Sequence, residues 1–348
     1  MEVKIIENSE LIKSFLKNNN HYLFHTPEFA EFISKAFFCR YVFCAALDNG
    51  EIKTILPIVE VKSKIFGNKI INSGYIEYGG FAGDPVGVTP IINHLEKIYG
   101  QVNEYLEIRG SINNSNIFDD ALSKNEKIEK RILYKRFVLP LGSKEGIWKN
   151  IQKSKRKAIN RGLEQLNVRE LTIDDLPAFY RLYSQNMRRF GSPPYSLNYF
   201  ALFFKNIVEK GFGKIYCAYR EGVLISALLG FTYQDRVHIL ISVSDPKYNE
   251  YRPSDAVHWK FIEYACNNGY KYFDFGRVRE ESGQFEYKRK WGPELLDLPS
   301  YFMLWKAKKI PIVDPQNTKY KIVTKVWKCL PLKVTIKIGP KLRKELGI

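Results

Sequence analysis

The sequence predicts a mixed α+β fold of two tandem domains, each a mostly antiparallel twisted sheet flanked by helices. A chain of 348 residues is long enough to bury about two hydrophobic cores. The order helix, hairpin, strand, helix, strand appears clearly in the second half and more loosely in the first. The predicted parts are a first domain at residues 1–145, a basic interdomain helix at 146–166, a second domain at 167–308 and a basic tail at 309–348.

The first half shows a helix start and a hairpin. Thr26 supplies an N-cap hydroxyl, Pro27 suits the first helical position, and Glu28 places an acid in the first turn. The pair Asn49-Gly50 between two β-rich runs predicts a tight hairpin. Further strands are predicted near residues 69–73, 75–81, 105–109 and 135–139, and a helix at 90–99.

The second half repeats this order. Three β-rich runs between residues 214 and 244, separated by the turns Glu221-Gly222 and Gln234-Asp235, predict an antiparallel meander. Ser254 then caps a helix that Gly269 ends. The remaining predicted elements are a basic helix around residues 148–164, a strand at 168–171, a helix at 174–189 and a strand at 270–276.

The composition excludes several classes of protein. The 45% hydrophobic and 14% aromatic content exclude a disordered chain. Apolar runs such as Val223–Phe231 are far shorter than the ~20 residues that span a bilayer, and no secretory signal begins the sequence. We therefore expect a cytoplasmic protein. The five cysteines form no C-x-x-C pair and the five histidines share no metal spacing, so we expect free thiols, no metal and no tightly bound cofactor.

The net charge of +17 predicts attraction to polyanions. Residues 130–161 carry eleven Lys and Arg side chains and a single acid, Glu145. This run lacks the interleaved aromatic residues of a base-stacking surface. It is therefore either a site for an anionic partner or a set of solvated helix faces.

The most informative segment is Tyr270–Gly292, YKYFDFGRVREESGQFEYKRKWG. Its strand delivers Asp274 and Arg277 to a sheet edge, and Lys288 follows where it can point back to that edge. The segment resembles the C-terminal signature of the Fem-like branch of the GNAT acyltransferases, in which an Asp-Phe-Gly strand end precedes an aromatic-Lys pair and a Trp/Phe-Gly. The resemblance implies two tandem GNAT-like domains.

Four other segments resemble the same branch in the same order. They are FHTPEFAEF (residues 24–32), ILPIVEVKSKIFGNKIINSGYIEYGGFAGDP (55–85), KSKRKAINRGLEQLNVRE (153–170) and NMRRFGSPPYSLNYF (186–200). The end of the chain, WKCLPLKVTIKIGPKLRKELG (327–347), is similar to the tail of members linked to exopolysaccharide and envelope genes. The resemblance thus covers most of the chain.

The resemblance implies a reaction and two catalytic candidates. Acyl transfer to an amine needs a group that stabilises the oxyanion formed on the acyl carbonyl. Lys288 matches the lysine of the aromatic-Lys pair and is the candidate for that role. Asp274 either orients the incoming amine or pairs with Arg277 and holds the strand end, and we favour the second interpretation.

The resemblance also implies residues that bind the substrate. Arg188 or Arg189 is expected to reach a phosphate or carboxylate, for which arginine is suited by its bidentate geometry. Arg277 and Tyr287 are expected beside Lys288. The remaining candidates, Tyr78 and Gly79, lie in a Tyr-Gly-Gly run where the backbone can approach a ligand closely.

The acyl donor remains open between an aminoacyl-tRNA and an acyl-CoA. GNAT enzymes that use acyl-CoA open the helix after the fourth strand with a glycine-rich loop whose amides bind pyrophosphate. Here residues 248–255 occupy that place without a glycine and with two acids, which argues against binding of CoA in the second domain. The chain also departs from the bridge-forming Fem-like enzymes, because it has no long helical arm and carries Ile33 where they tend to have a lysine.

We therefore expect an N-acyltransferase that acts on an amine of an anionic cell-envelope or polysaccharide precursor. The alternatives are a tRNA-dependent aminoacyltransferase acting on a lipid II-type peptidoglycan precursor, and a non-catalytic module that binds a membrane or polyanion. Pro331 and Pro340 are expected to break the basic tail into short pieces. Its apolar residues either pack on the second domain or make peripheral contact with an anionic membrane, on the inner face of the cell membrane.

Overall fold

The computed structural model describes residues 1–112, 116–280, 282–310 and 318–347. The chain groups into two compact units, and each is considered by itself. The first unit contains residues 1–133, 298–313 and 341–348, and the second contains residues 134–297 and 314–340. Each unit is assembled from separated stretches of chain, so the sequence-based boundaries at 145, 166 and 308 stay a prediction.

The elements that begin in residues 1–127 belong to the first unit. Thr26 caps the second helix through its hydroxyl, and the predicted Asn49-Gly50 hairpin joins the second and third strands. The elements are β1 (Glu2–Ile6), α1 (Ser9–Lys17), α2 (Pro27–Phe37), β2 (Tyr41–Asp48), β3 (Glu51–Val61), β4 (Lys69–Asn72), β5 (Ala82–Gly83), α3 (Val88–Tyr99), β6 (Tyr105–Arg109) and α4 (Asn116–Ser123).

The elements from residue 128 onward lie mainly in the second unit. They are β7 (Ile128–Pro140), α5 (Lys144–Asn150), α6 (Lys153–Gln165), β8 (Asn167–Glu170), α7 (Leu176–Phe190), α8 (Leu197–Phe203), β9 (Gly213–Arg220), β10 (Val223–Tyr233), β11 (Arg236–Ser244), α9 (Pro253–Asn267), β12 (Tyr272–Val278), α10 (Gly283–Arg289), β13 (Glu294–Leu304), α11 (Thr318–Cys329) and α12 (Leu332–Leu346). β13 from residue 298 and α12 from residue 341 are counted with the first unit.

Each unit is built on a sheet with one parallel pair of strands. In the first unit the strand order is β1-β2-β3-β4-β6-β13, with β5 beside β3, and the parallel pair is β4 with β6. In the second unit the order is β7-β12-β11-β10-β9-β8, and the parallel pair is β11 with β12. The predicted fold class, mostly antiparallel sheets flanked by helices, is confirmed.

Apolar helix faces pack on both sheets. In the first unit Ile91 and Leu95 of α3 lie in a core with Leu106 of β6. In the second unit Phe261 of α9 packs in a core with Phe273 of β12. Both helices carry apolar residues at helical spacing, and this apolar face is the one that packs on the sheet.

Four local predictions were wrong. Ser254 does not cap α9, because the helix begins at Pro253 with Arg252 at the N-cap position and no side-chain hydrogen bond caps it. Residues 75–81 form no regular strand, because Tyr75 and Gly80 have positive φ values of 62° and 95° that a strand cannot accommodate. The basic interdomain helix is two helices, α5 and α6, which meet at extended residue Ile151. Pro340 does not break the tail, since α12 runs through it while Gly339 packs against Pro194.

No helix within the described residues is both long enough and apolar enough to cross a membrane.

Candidate active site

The end of β12 forms an open edge in the second unit. β11 and β12 pair in parallel from Arg236–Tyr272 to His238–Asp274. β12 continues beyond this pairing to Val278. On its other side β12 pairs with β7, and the register shifts between Asp274 and Arg277. Gly276 lies in this bulge with φ 73°, a left-handed conformation that favours glycine. The bulge therefore sits where β12 leaves β11.

The ammonium group of Lys288 lies at this bulge. Lys288 Nζ donates hydrogen bonds to the carbonyl oxygens of Gly276 at 3.1 Å and Arg277 at 3.0 Å. The side chain is buried, with 8% of its surface exposed. Both acceptors are backbone carbonyl oxygens, and the two bonds position the ammonium group at the bulge. The structure thus places Lys288 at the sheet edge where the sequence predicted it.

Helix α10 holds Lys288 in place through three aromatic residues. The ring of Phe285 packs 4.9 Å from that of Phe137 in β7, and Trp291, just beyond the helix, is fully buried beside Phe275 at 6.0 Å. Tyr287 packs against Trp291 at 6.4 Å. Aromatic pairs of this kind each contribute about 0.5–1.5 kcal/mol beyond their buried area. The aromatic-Lys pair thus lies on a short helix, whose aromatic residues pack inward.

Asp274 is a fully buried ion-pair partner. Its Oδ2 lies 3.1 Å from Arg136 Nη1 and 4.0 Å from Arg236 Nη1, and its Oδ1 accepts the Gly276 amide at 2.8 Å. Arg136 and Arg236 thus both contact this carboxylate, and the pairing with Arg277 that the sequence suggested stays a prediction. These contacts support the structural role for Asp274, and its contribution to catalysis stays a prediction.

Two arginines share one tyrosine ring at the end of β12. The guanidinium of Arg277 lies 4.8 Å from the centre of the Tyr134 ring, and that of Arg279 lies 5.1 Å from it. Arg279 also donates a hydrogen bond to the Tyr134 hydroxyl at 3.1 Å. Arg277 belongs to β12 and Arg279 directly follows its last residue, Val278, so the shared ring brings both cations together at the end of the strand. Sequence reasoning identified Arg277 and missed Arg279 and Tyr134.

The N-terminus of α9 is covered by the protein itself. Gly162 of α6 packs so closely that an added Cβ would lie 2.9 Å from both the Arg252 carbonyl oxygen and the Ala256 Cβ. Beside it, Lys155 Nζ forms a buried ion pair with Asp255 in the first turn of α9 at 2.6 Å. Burial lowers the pKa of Lys155. An amide cradle for pyrophosphate would need this helix end to be open.

Tyr287 and His258 complete the packing around that ion pair. The Tyr287 ring lies 3.8 Å from Lys155 Nζ, a cation–π contact. The Tyr287 hydroxyl is 3.2 Å from His258 Nδ1, which carries the imidazole proton because it also lies 2.7 Å from the Ser254 carbonyl oxygen. Burial raises the pKa of Tyr287 and lowers that of His258 to about 3. Tyr287 thus contacts protein groups, and a contact with substrate stays a prediction.

Arg188 and Arg189 end α7, which packs against β10 and β11. Gly191 closes the helix in a left-handed conformation with φ 76°, and its amide donates to the Arg188 carbonyl oxygen. Arg189 is exposed and donates to Asn186 Oδ1 at 2.7 Å, whereas Arg188 is half-buried. Their expected contact with an anionic substrate stays a prediction.

Tyr78 and Gly79 lie in the first unit, and the structure explains the glycine by packing. Tyr78 is fully buried. A Cβ on Gly79 would overlap the side-chain amide of Asn72, whose Oδ1 accepts a hydrogen bond from the Gly80 amide at 2.5 Å. The close backbone approach that the sequence predicted is therefore made by Asn72. A role for Tyr78 or Gly79 in ligand binding stays a prediction.

Among the residues that the structure describes, no group of three or more His, Cys, Asp or Glu side chains could hold a metal ion.

Comparison with known proteins agrees with this geometry. Residues 148–289 match the family described as an acetyltransferase (GNAT) domain, and this range contains Asp274 and Lys288. No curated protein sequence matches the chain. Among solved structures, FemX has a TM-score of 0.67 at 13% sequence identity, covering 88% of this chain and 98% of FemX.

Two further structures have similar folds. A tandem GNAT protein from the clavulanic acid biosynthesis pathway has a TM-score of 0.55 at 8% identity, covering 89% of this chain and 100% of that one. The C-terminal domain of a putative lysylphosphatidylglycerol synthetase from Agrobacterium fabrum has a TM-score of 0.57 at 9% identity, with 85% and 90% covered. Residues 148–289 thus match the GNAT domain family, and the chain has the fold of FemX and of a tandem GNAT protein, as its resemblance to the Fem-like branch predicts.

Proposed function

We propose that this protein is an N-acyltransferase that transfers an acyl or aminoacyl group to an amine of an anionic cell-envelope or polysaccharide precursor. The observation that carries the proposal is the buried ammonium of Lys288, hydrogen-bonded at 3.1 and 3.0 Å to the carbonyls of the β12 bulge. It lies within the segment that matches the GNAT acetyltransferase family. The match supports a transferase, and the position of Lys288 supports its part in the chemistry.

The proposed step is attack of a neutral amine on the acyl carbonyl carbon. A C–N bond forms and the carbonyl electron pair moves to oxygen. The pair then returns to re-form the carbonyl as the bond to the donor's leaving group breaks, and the leaving atom takes up the proton that the amine loses. Lys288 would stabilise the oxyanion of the tetrahedral intermediate. A preorganised donor of this kind, shielded from water, contributes about 2.7–4 kcal/mol to the transition state.

Arg277 and Arg279 support an anionic acceptor. The two guanidinium groups lie against one tyrosine ring at the end of β12, next to the carbonyls that bind Lys288. Arginine suits phosphate and carboxylate because its planar donors match two oxygen atoms at once. An acceptor whose phosphate is bound by this pair would have its amine near the end of β12, where Lys288 lies.

The covered start of α9 supports a donor other than acyl-CoA. Gly162 and the ion pair Lys155–Asp255 cover the N-terminus of α9, where exposed backbone amides could otherwise bind a pyrophosphate. An aminoacyl-tRNA needs no pyrophosphate cradle there. We therefore expect aminoacyl transfer, and polysaccharide or peptidoglycan precursors are the two classes of acceptor to compare.

Two measurements test the proposal. Calorimetry with acetyl-CoA should show no saturable binding at low micromolar concentration, and a well-saturating isotherm in that range would restore an ordinary acetyltransferase. In parallel, label from bulk tRNA charged with ¹⁴C-amino acids, or from ¹⁴C-acetyl-CoA, is followed into a nucleotide-linked amino sugar and a nucleotide-linked muropeptide. Transfer into one of them that the variant Lys288→Met loses supports the proposal. Absence of transfer from both donors to both acceptors favours a binding module.

A further inference from the structure

The exposed side chains of residues 321–338, on α11 and the first part of α12, form a surface that we call the tail surface. It belongs to the second unit. Trp327 is buried, and a side chain on Gly191 at the end of α7 would collide with Thr324, so α11 packs on α7 through these two positions. The sequence left open whether the apolar residues of the tail pack inward, and the structure shows that only some of them do.

Three apolar side chains of α11 face outward. Ile322 is 57% exposed, Val323 65% and Val326 56%. They occupy an arc of about 100° around the helix, and Val323 borders the buried Trp327, which lies one turn further on. Exposed apolar residues are ordinary when scattered, whereas three adjacent ones on a single helical face indicate a contact surface.

Lysines flank this apolar side in a pattern that occurs in both helices. In α11, Lys321 and Lys325 precede Ile322 and Val326 by one residue, and all four are exposed. In α12 the same spacing recurs: Lys333 and Lys337 are exposed and precede Val334 and Ile338, which are 38% and 40% exposed. Side chains four apart lie above one another on a helix, so each helix carries a lysine row beside an apolar row.

The charge of this segment has one sign. Residues 318–344 contain nine Lys and Arg residues and no acid. When such a helix lies on the surface of a bilayer, its apolar row is buried among the acyl chains. Its basic row then lies among the anionic headgroups. A nucleic acid would attract the lysines electrostatically, but it has no apolar phase in which Ile322, Val323 and Val326 could be buried.

We propose that the tail surface docks the protein peripherally on a bilayer that contains anionic lipid. α11 and the start of α12 lie on the membrane with their aliphatic rows inserted and their lysines among the lipid phosphates. The inference stands independently of the proposed reaction, because none of its residues belongs to the site at β12.

The test is co-sedimentation of the full chain with phosphatidylcholine vesicles, with and without 30% phosphatidylglycerol, at low and high salt. Binding is expected to the anionic vesicles at low salt and to weaken at high salt. The triple variant Lys321→Gln/Lys325→Gln/Lys328→Gln should bind roughly 100-fold more weakly, since each lysine near an anionic surface contributes about fivefold. The matched control Lys205→Gln/Lys247→Gln/Lys271→Gln removes the same charge from exposed positions elsewhere and should bind as the unmodified protein does.

A second variant separates the membrane from other polyanions. Ile322→Ser/Val326→Ser keeps every charge and should weaken vesicle binding by at least about tenfold, because the inserted apolar area is lost. Both positions are exposed, so the melting temperature should change little. Equal binding of both lysine triples, or unchanged binding of the serine variant, overturns the proposal. Unchanged binding of the serine variant, together with tight binding of unrelated RNA through the same lysines, would assign the surface to a nucleic acid.

Discussion

Two buried lysines of the second unit are held by different groups. Lys155 is paired with the carboxylate of Asp255 at 2.6 Å, at the start of α9, and lies under the ring of Tyr287. Lys288 is hydrogen-bonded to two neutral carbonyl oxygens at the end of β12. The first arrangement closes a helix end that a pyrophosphate could otherwise use. The second positions a cation at the end of β12, where it can stabilise the negative charge that develops during acyl transfer.

The largest expected effect is on the free energy of unfolding and tests the ion pair of Lys155 with Asp255. Lys155→Met leaves Asp255 as a buried carboxylate without its ammonium partner. Removing one member of a buried ion pair typically costs about 3–5 kcal/mol of unfolding free energy. Urea denaturation should show this loss, whereas Lys157→Met on the same helix, an exposed position, should change stability by less than about 0.5 kcal/mol. Equal small effects would mean that the ion pair does not hold α6 on α9.

A smaller effect concerns acid stability around the same ion pair. Burial lowers the pKa of His258 to about 3, below its ordinary value near 6.5, so the folded state keeps this imidazole neutral. The unfolded chain then binds the extra proton as the pH falls below 6.5. The stability that the neutral histidine contributes is present above pH 6.5 and is lost toward pH 3, at about 1.4 kcal/mol per pH unit.

The measurement is the unfolding free energy of the wild-type protein and of His258→Gln between pH 7 and pH 4. The variant should lose stability less steeply by about 1.4 kcal/mol per pH unit over this range. Carboxylates that titrate in the same range affect both proteins alike and cancel in the difference. Parallel curves would show that His258 is protonated equally easily in the folded and unfolded states.

The sequence predicted features that depend on neighbouring residues. The Asn49-Gly50 hairpin, the meander of β9 to β11 and the strand that carries Asp274 follow from turn residues and alternation of apolar positions. The position of Lys288 near the end of β12 was predicted from a motif that lies within one short segment.

Features that join distant parts of the chain were missed. The ion pair of Lys155 with Asp255 joins residues 100 apart, and that of Arg136 with Asp274 joins residues 138 apart. Nothing in the local pattern distinguishes Lys155 from the exposed lysines around it. Its burial follows from the packing of Gly162 on α9, which only the tertiary structure shows. The continuity of α12 through Pro340 was missed for the same reason, because buried Thr335 and Gly339 fix the helix against its neighbours.

The most direct test of the account compares Lys288→Met with Lys290→Met, an exposed lysine two residues away. With the acceptor found in the transfer assay, kcat/KM of Lys288→Met should fall by about 100-fold or more, whereas Lys290→Met should keep nearly full activity. Lys288→Arg, which retains the charge, should recover part of the loss, and melting temperatures show whether each variant is folded. Equal small effects of Lys288→Met and Lys290→Met on kcat/KM in folded proteins would contradict the assignment of Lys288 to the transition state.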